Sequence, residues 1–451
     1  MHKAELSRRD FLKTAAVLPA LRFQRGQLPA TPDPWSEAAT ILGRIKEPAI
    51  PNRDFNLGAF NGDINAAITA CSGAGGGRVV VPAGVFPTGP IRLKSRVNLH
   101  LSEGSVLKFS TNPKVYLPLV FTRFEGTELM NYSPFIYAFE QEDIAITGPG
   151  TLDGQADATH WWDWTRNAAR TRLVSAAASG TPVAQRIFGE GSFLRPNFIQ
   201  PYRCRNVFME GFTVKNSPMW ELHPVLCSNV IIRGITIDSH GPNNDGCDPE
   251  SCRDVLIEKC TFDTGDDCIA LKSGRNTDGR RVATPIENVV VRDCVMKDGH
   301  GGVTIGSEIS GGARNIFAER CKMDSPQLDR ALRLKNNSQR GGLIERVYMR
   351  DVTVGQVKEA IVSIDFNYEE GDNGDFPPVV RDIEVRNVTS AKSQYALYLR
   401  GFSRAVITNV RLKDCNFQNV AKPDLMEHVK DIVLSNVTVN GAAINETFTK
   451  P

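Results

Sequence analysis

The sequence predicts an all-β fold: a single right-handed parallel β-helix, or solenoid, with an N-terminal capping helix and long loop insertions. Three observations carry that expectation. The first is a self-similar unit in which a polar turn residue precedes a short apolar strand. Examples are Asn206-Val207-Phe208-Met209, Asn229-Val230-Ile231-Ile232, Asp254-Val255-Leu256-Ile257 and Asn288-Val289-Val290-Val291, with further copies at Asp143, Asn315, Asp382 and Asp431. The second is spacing. From Asn206 to Asn315 the units start 23, 25, 34 and 27 residues apart, the period of stacked turns that bury their inward side chains against one another. An array of immunoglobulin-like sandwiches would show domain-sized periods and hairpin turns instead. The third is composition, since 38 glycines and few long helical patterns suit a turn-rich β architecture. A chain of 451 residues would otherwise suggest two or three domains, but a solenoid grows without enlarging one globular core.

Bulk chemistry narrows the function classes. A formal net charge of +2 gives no support for a nucleic-acid partner. No apolar run is long enough to span a bilayer, so stable membrane insertion is not expected, and the chain reads as a monomer. The ten cysteines lack paired CxxC metal spacing. Cys260, Cys294, Cys321 and Cys415 each follow a charged pair within similar units, the pattern of a ladder of small buried side chains. Disulfides are a second option that the sequence leaves unassigned.

In chain order, Arg8 and Arg9 precede a short, mildly apolar run over 14–21. This pattern predicts a twin-arginine-type export signal over residues 1–25 and a periplasmic or extracellular location. No cleavage site is readable. Residues 26–52, with five prolines from Pro29 to Pro51, read as a linker with a short helix around Trp35 to Ile45. The catalytic β-helix is expected over 53–451. Its first turn follows a helical pattern, Ile64 to Cys71, that would shield the open end of the solenoid. Strands of period two then begin at Ile91, Val97 and Val106. Two segments, 111–132 and 156–200, are too long to be turns and read as loop insertions, where specificity tends to reside. The second contains Trp161, Trp162 and Trp164, which either plug the flank of the helix or stack on a sugar.

Four polar clusters interrupt the apolar rhythm between residues 243 and 335: Asn243-Asn244-Asp245-Gly246, Gly265-Asp266-Asp267, Gly299-His300-Gly301 and Arg333-Leu334-Lys335. Successive gaps are 21, 33 and 33 residues, measured from Asp245 to Asp266, Asp267 to His300 and His300 to Arg333. Strands stacked about 4.8 Å apart would align these clusters along one outer groove. Alternation supports this: with Leu332, Leu334, Val303, Ile305, Ile269 and Leu271 inward, Arg333, Lys335, His300 and Asp266 face out. Strict alternation would bury Asp267, and an unpaired buried carboxylate is expensive, so the backbone must turn between Asp266 and Asp267. Three crowded carboxylates favour keeping one of them protonated near neutral pH. One acid and ionised partners are what glycoside hydrolysis needs, to protonate the leaving oxygen and activate water. Arg333 and Lys335 would hold an anionic sugar, and His300 would tune the acid. Taken singly, each cluster reads as ordinary solvated surface; their order and spacing together carry the reading.

These four clusters resemble glycoside hydrolase family 28, the pectin-degrading polygalacturonase type, whose pattern is Asn-Thr-Asp, Gly- or Gln-Asp-Asp, Gly-His-Gly and Arg-Ile-Lys. Only the middle positions, Asn244 and Leu334, depart from it. Tyr368 also falls where the family often has a substrate-contacting tyrosine. The resemblance implies Asp266 as general acid, Asp245 and Asp267 as activators of the attacking water, and inversion at the anomeric carbon. It further implies support of the acid by His300, substrate binding by Asn243, Arg333, Lys335 and Tyr368, and no metal or other cofactor. The implied substrate is a pectic polysaccharide or oligosaccharide cleaved at α-1,4-galacturonosidic bonds. The two insertions would wall off one end of the groove and favour exo-action from the non-reducing end. Rhamnogalacturonan and xylogalacturonan are alternative substrates. A calcium-dependent pectate lyase and a non-catalytic, tail-spike-like carbohydrate binder are the competing classes.

Overall fold

The computed structural model describes residues 33–166 and 168–451. The expected export signal over 1–25 lies outside them, as does the first part of the expected linker. The described chain winds into a right-handed parallel β-helix whose rungs feed one long sheet and shorter ones beside it. In the long sheet the repeated strands pair in register, Val207↔Val230↔Val255↔Val289↔Ile316. The polar residue that opens each unit sets the corner. Asp143, Asn206, Asn229, Asp254, Asn288 and Asn315 all have φ between 54° and 58°, a left-handed conformation that Asn and Asp tolerate better than most residues. Their side chains also bond rung to rung: Asn206 donates to Asp143 at 2.8 Å, Asn229 to Asn206 at 2.8 Å and Asn315 to Asn288 at 2.9 Å. One residue type therefore both turns the chain and ties it to the rung before.

Each unit carries three apolar residues in a row, and a strand can turn only the first and third inward. Val207 and Met209, Val230 and Ile232, Val255 and Ile257 join the main core. The middle residues Phe208, Ile231, Leu256, Val290 and Phe317 form a stripe on the outer face. A helix, Pro34–Arg44, covers that stripe with Trp35, Ala38 and Ile41, and the Trp35 ring lies 5.4 Å from that of Phe317. Asp33 caps the helix by accepting from the Trp35 amide at 3.2 Å, and Arg44 at the other end bonds Asp254. Lys46 then exchanges two hydrogen bonds with the Asn229 side chain. From Pro34 onward, the segment expected as linker is thus docked on the solenoid. The cause is the outward apolar stripe, which leaves a surface that needs cover.

The expected N-terminal cap is present as the helix Ile64–Gly73, with Asp63 accepting from the Ala66 amide at 2.9 Å and Ile64, Ala67, Ile68 and Cys71 buried over the first rungs. At the other end the strand Ala442–Lys450 folds back antiparallel on Val429–Val439. All ten cysteines are buried and free. The ladder includes a second column, in which the Cys204 amide faces Cys227 Sγ and the Cys227 amide faces Cys252 Sγ, each at 3.3 Å.

Both insertions have structure of their own. The first forms an antiparallel hairpin, Val120–Phe124 with Thr127–Asn131, turning at Glu125 and Gly126. The second contributes the helix Ala169–Ala178. Trp161 plugs the flank of the solenoid, 2% exposed among Tyr116, Phe135 and Trp164.

Candidate active site

The groove lies on a six-stranded parallel sheet built from Ile269–Leu271, Val303–Ile305, Arg330–Lys335, Ala360–Asp365, Tyr395–Arg400 and Leu425–Glu427. Register places Leu271, Ile305, Leu334 and Ile364 in one inward column and Ala270, Thr304, Arg333 and Ser363 in the neighbouring outward one. Arg333 and Lys335 therefore share the outer face. Earlier rungs extend the sheet through the bridges Leu222↔Cys247↔Ile269 and Val225↔Glu250↔Lys272, which carry Asp245 into the same groove.

The backbone bends over 265–268, ahead of the strand at Ile269. Cys268 and Ile269, adjacent in sequence, both enter the core. Asp267 escapes the core by this bend. Its carboxylate is fully buried, yet it faces Lys335 Nζ at 2.6 Å, Arg333 Nη1 at 3.1 Å and Thr304 Oγ1 at 3.0 Å. The glycines of the motifs are sites of close approach. A Cβ at Gly265 would sit 2.4 Å from Gly241 O, and one at Gly301 would sit 2.2 Å from Thr304 Oγ1 and 2.9 Å from Asp267 Oδ1. Neither position accepts a side chain without displacing the site.

Asp245, Asp266 and Asp267 each offer an oxygen such that all three lie within 4.8 Å of one another. Their environments differ. Asp266 is the outermost, with 18% of its side chain exposed, and contacts His300 Nδ1 at 2.9 Å. Burial, the largest influence, would raise it, but the His300 hydrogen bond together with the Lys335 and His300 charges outweighs this and leaves it below the ordinary carboxylate range. The same contact raises His300. Burial would likewise raise Asp267, but Lys335 and Arg333 hold it well down. Asp245 goes the other way. Burial and then the neighbouring Asp266 charge push it well up, against Lys272 Nζ at 3.6 Å. In the open groove the shared proton of the cluster is therefore favoured on Asp245, whereas the family resemblance gives the acid role to Asp266.

The other expected residues also gather here. Tyr368 presents its ring to both cations, 5.7 Å from the Arg333 guanidinium and 5.2 Å from Lys335 Nζ. Asn243 accepts from Arg195 Nη2 at 2.7 Å. Asn244, where the pattern departs, is buried and structural: its Oδ1 accepts from Ser239 Oγ and the Gly241 amide, both at 2.8 Å.

Several charged residues of the site went unread in the sequence. Lys272 Nζ sits 3.1 Å from Glu308, 3.6 Å from Asp248 and 4.3 Å from the Trp220 ring. Glu221 and Asp248 are fully buried, no side-chain oxygen of either has a hydrogen-bond partner, and burial raises both well above the carboxylate range. The signal available for Lys272 was its place two residues beyond Ala270, in step with the outward face. The wall formed by the hairpin also rests on buried charge. Arg123 bonds Glu250 at 2.9 Å, and Glu250 bonds His223 at 2.9 Å. At the hairpin tip Glu125 accepts from Arg275 at 2.9 Å and from Arg170, which reaches Glu369 at 3.2 Å. Those contacts tie the hairpin tip to the second insertion and to Glu369, the neighbour of Tyr368.

A solenoid with a carboxylate cluster beside paired cations in an outer groove defines a carbohydrate-cleaving class of protein. The sequence profile of glycosyl hydrolases family 28 matches residues 184–446, and the chain belongs to that family of glycoside hydrolases. Among solved structures, a hyperthermoactive exopolygalacturonase from Thermotoga maritima shares 43% identity and superposes with a TM-score of 0.89, covering 92% of this chain and 98% of that one. A probable polygalacturonase from Vitis vinifera is 29% identical, over 81% of this chain and 72% of its own length. An exo-poly-alpha-D-galacturonosidase from Dickeya chrysanthemi is 24% identical, over 86% of this chain and 72% of its own length. Among the described residues no helix is long and apolar enough to cross a membrane.

Proposed function

We propose that the protein hydrolyses α-1,4-galacturonosidic bonds of a pectic chain, acting from the non-reducing end with inversion at the anomeric carbon. The observation that carries this reading is the grouping of three carboxylates within 4.8 Å beside Arg333 and Lys335, with the hairpin held next to them by Arg123–Glu250 and Glu125–Arg275. In this reading the hairpin blocks one end of the groove, so a polymer enters from the other. Family membership and the names of the relatives support the substrate, and the pair Arg333 and Lys335 suits a uronate.

In the proposed reaction Asp266, the most accessible carboxyl, gives its proton to the glycosidic oxygen as the C1–O bond breaks. Water attacks C1 from the opposite face and loses its proton to Asp245. Base strength follows pKa, so Asp245, held high by burial, accepts that proton better than Asp267, held low by Lys335. Asp267 instead orients the water. After turnover Asp245 carries a proton and Asp266 does not, which is the state the free site favours. Transfer back to Asp266 through a bridging water readies the next cycle. Carboxyl groups this close lie below the roughly 6.5–9.5 Å usual for inverting pairs. Here, however, both Asp267 oxygens are engaged by cations or a hydroxyl and Asp245 favours its protonated form, so neither is a good nucleophile for a covalent intermediate. Early-time product sizing on polygalacturonate, with the first-formed anomer read by proton NMR, tests the proposal. Release of small products of inverted configuration is expected; a ladder of mid-length oligomers or a retained anomer overturns exo-action or inversion respectively. The substitution Asp266→Asn should lower kcat by about 10²–10⁴-fold while leaving the fold intact by circular dichroism. An export signal over 1–25 would deliver the enzyme to such a polymer outside the cytoplasm.

A further inference from the structure

Beside Asp245 lies a buried ammonium shared by three carboxyl groups. Lys272 is 2% exposed, and its Nζ stands 3.1 Å from Glu308, 3.6 Å from Asp248 and 3.6 Å from Asp245. We propose that Lys272 is a positioning residue for the reaction, supplying the positive charge that lets Asp245 return its proton to Asp266 between turnovers. The inference rests on the reading of Asp245 as the base.

Geometry is the first support. Among the described residues Lys272 is the one cation within ion-pair distance of Asp245, whereas Asp267 has two, Lys335 and Arg333, in direct hydrogen bonds. At 3.6 Å Lys272 makes no hydrogen bond to Asp245, and Asp245 Oδ1 is buried without a partner. Lys272 therefore acts on Asp245 through its charge, opposing burial without pinning the carboxylate. Position is the second support. The ammonium lies 4.3 Å from the centre of the Trp220 ring, and the Lys272 backbone is bridged to Glu250, which fixes both ends of the side chain. The nearest acid, Glu308, also meets Arg275 Nη1 at 3.6 Å and accepts from Ser307 Oγ at 3.1 Å, so Lys272 is not its only partner. Charge is the third. Burial and then the Asp266 charge push Asp245 up, with Asp267 adding to them, and Lys272 is the largest influence in the other direction, ahead of Lys335. Asp248 and Glu221, both buried and raised by burial, add little negative charge while they hold their protons. Arg195 also feels the Asp245 charge, and Lys272 in turn acts on Asp267, His223 and Lys335.

The dependence of kcat/KM for polygalacturonate on pH tests the assignment on the whole protein. Carboxyls that share one proton titrate as a unit, and the basic limb marks loss of the last proton, which sits mainly on Asp245. Lys272→Met should move that limb up by about one to three pH units, the usual effect of an opposite charge at this range. The plateau should fall by the matching factor, about 10- to 1,000-fold, because the active arrangement, Asp266 protonated and Asp245 ionised, becomes that much rarer. A folded Lys272→Met variant whose limb stays in place overturns the proposal whatever its activity, since lost packing lowers the plateau without moving the limb. Where a thermal melt shows Lys272→Met unfolded, Glu308→Gln decides. It leaves Lys272 with one competitor fewer, so the limb should move down, and an unmoved limb overturns the proposal. Failure of the base assignment itself has a different signature, a basic limb that survives in the residual activity of Asp245→Asn.

Discussion

At the scale of single residues, the site depends on giving three neighbouring carboxyls different environments. Asp267 is held ionised by two cations, Asp266 by His300, and Asp245 is left in a dry place beside a negative neighbour. That last arrangement opposes stability. A carboxyl raised in the folded state binds its proton more tightly there than in the unfolded chain, so stability falls as pH rises from about 4 through the raised value. Each unit of that raise below the working pH is worth about 1.4 kcal/mol. Asp245→Asn should therefore raise the unfolding midpoint at neutral pH, lose the gain near pH 4, and abolish most activity; calorimetry across pH reads all three. A midpoint that is unchanged or lower at pH 7 would show that Lys272 fully compensates Asp245. Three of the four clusters were legible because they couple chemistry-bearing residues to a glycine, as at Gly265 and Gly301, and the fourth because Arg333 and Lys335 alternate with inward leucines. Lys272, Glu221, Asp248 and Arg195 were not, because a lone charge in a loop or an isolated bridge, outside any repeated motif, gives no sign of what will face it.

At the scale of elements, a bend near Asp266 and Asp267 was readable from the alternation of Ile269 and Leu271, but it spreads over 265–268 and the alternation breaks between Cys268 and Ile269, both inward. The helix Pro34–Arg44 was readable in place but not in role. Its partner is a column of residues one per rung, Phe208 through Phe317, and the sequence shows these only as the middle of each apolar triplet. Three apolar residues in a row on a strand mean that both faces are buried, and that rule was available. Ile41 is fully buried against this column. Ile41→Ala should cost about 2–5 kcal/mol and lower the melting temperature, while kcat stays at the wild-type value because the helix lies on the long sheet, away from the groove. A drop in kcat at temperatures well below the melt would mean that the outer face and the groove are coupled.

At the scale of the whole molecule, the solenoid solves its end problem with two different devices, the helix Ile64–Gly73 at the start and an antiparallel return strand at the finish. The period predicted the stack and the first device. The second was hidden, since Ala442–Lys450 alternates weakly and lies largely exposed. The insertions were recognisable by length alone, but their placement depends on contacts 127 and 150 residues away in sequence, Arg123 to Glu250 and Glu125 to Arg275. No local pattern encodes such partners. Trp161 and Trp164, three residues apart, go to the core and to the lining of a cavity beside Arg170 respectively, which no reading of the segment alone distinguishes.

The hairpin wall has a kinetic consequence. If the polymer enters from one end only, as exo-action requires, the order of departure is imposed: the shortened polymer blocks the exit, so it leaves first and the monomer last. Between cuts the enzyme must let go of its polymer entirely, which makes it distributive. The last product off binds the same free form of the enzyme as the substrate does. Added galacturonate should therefore inhibit competitively against oligogalacturonate, and initial-rate plots at several monomer concentrations should share an intercept at saturating substrate. A noncompetitive pattern would mean that the monomer has a second way out.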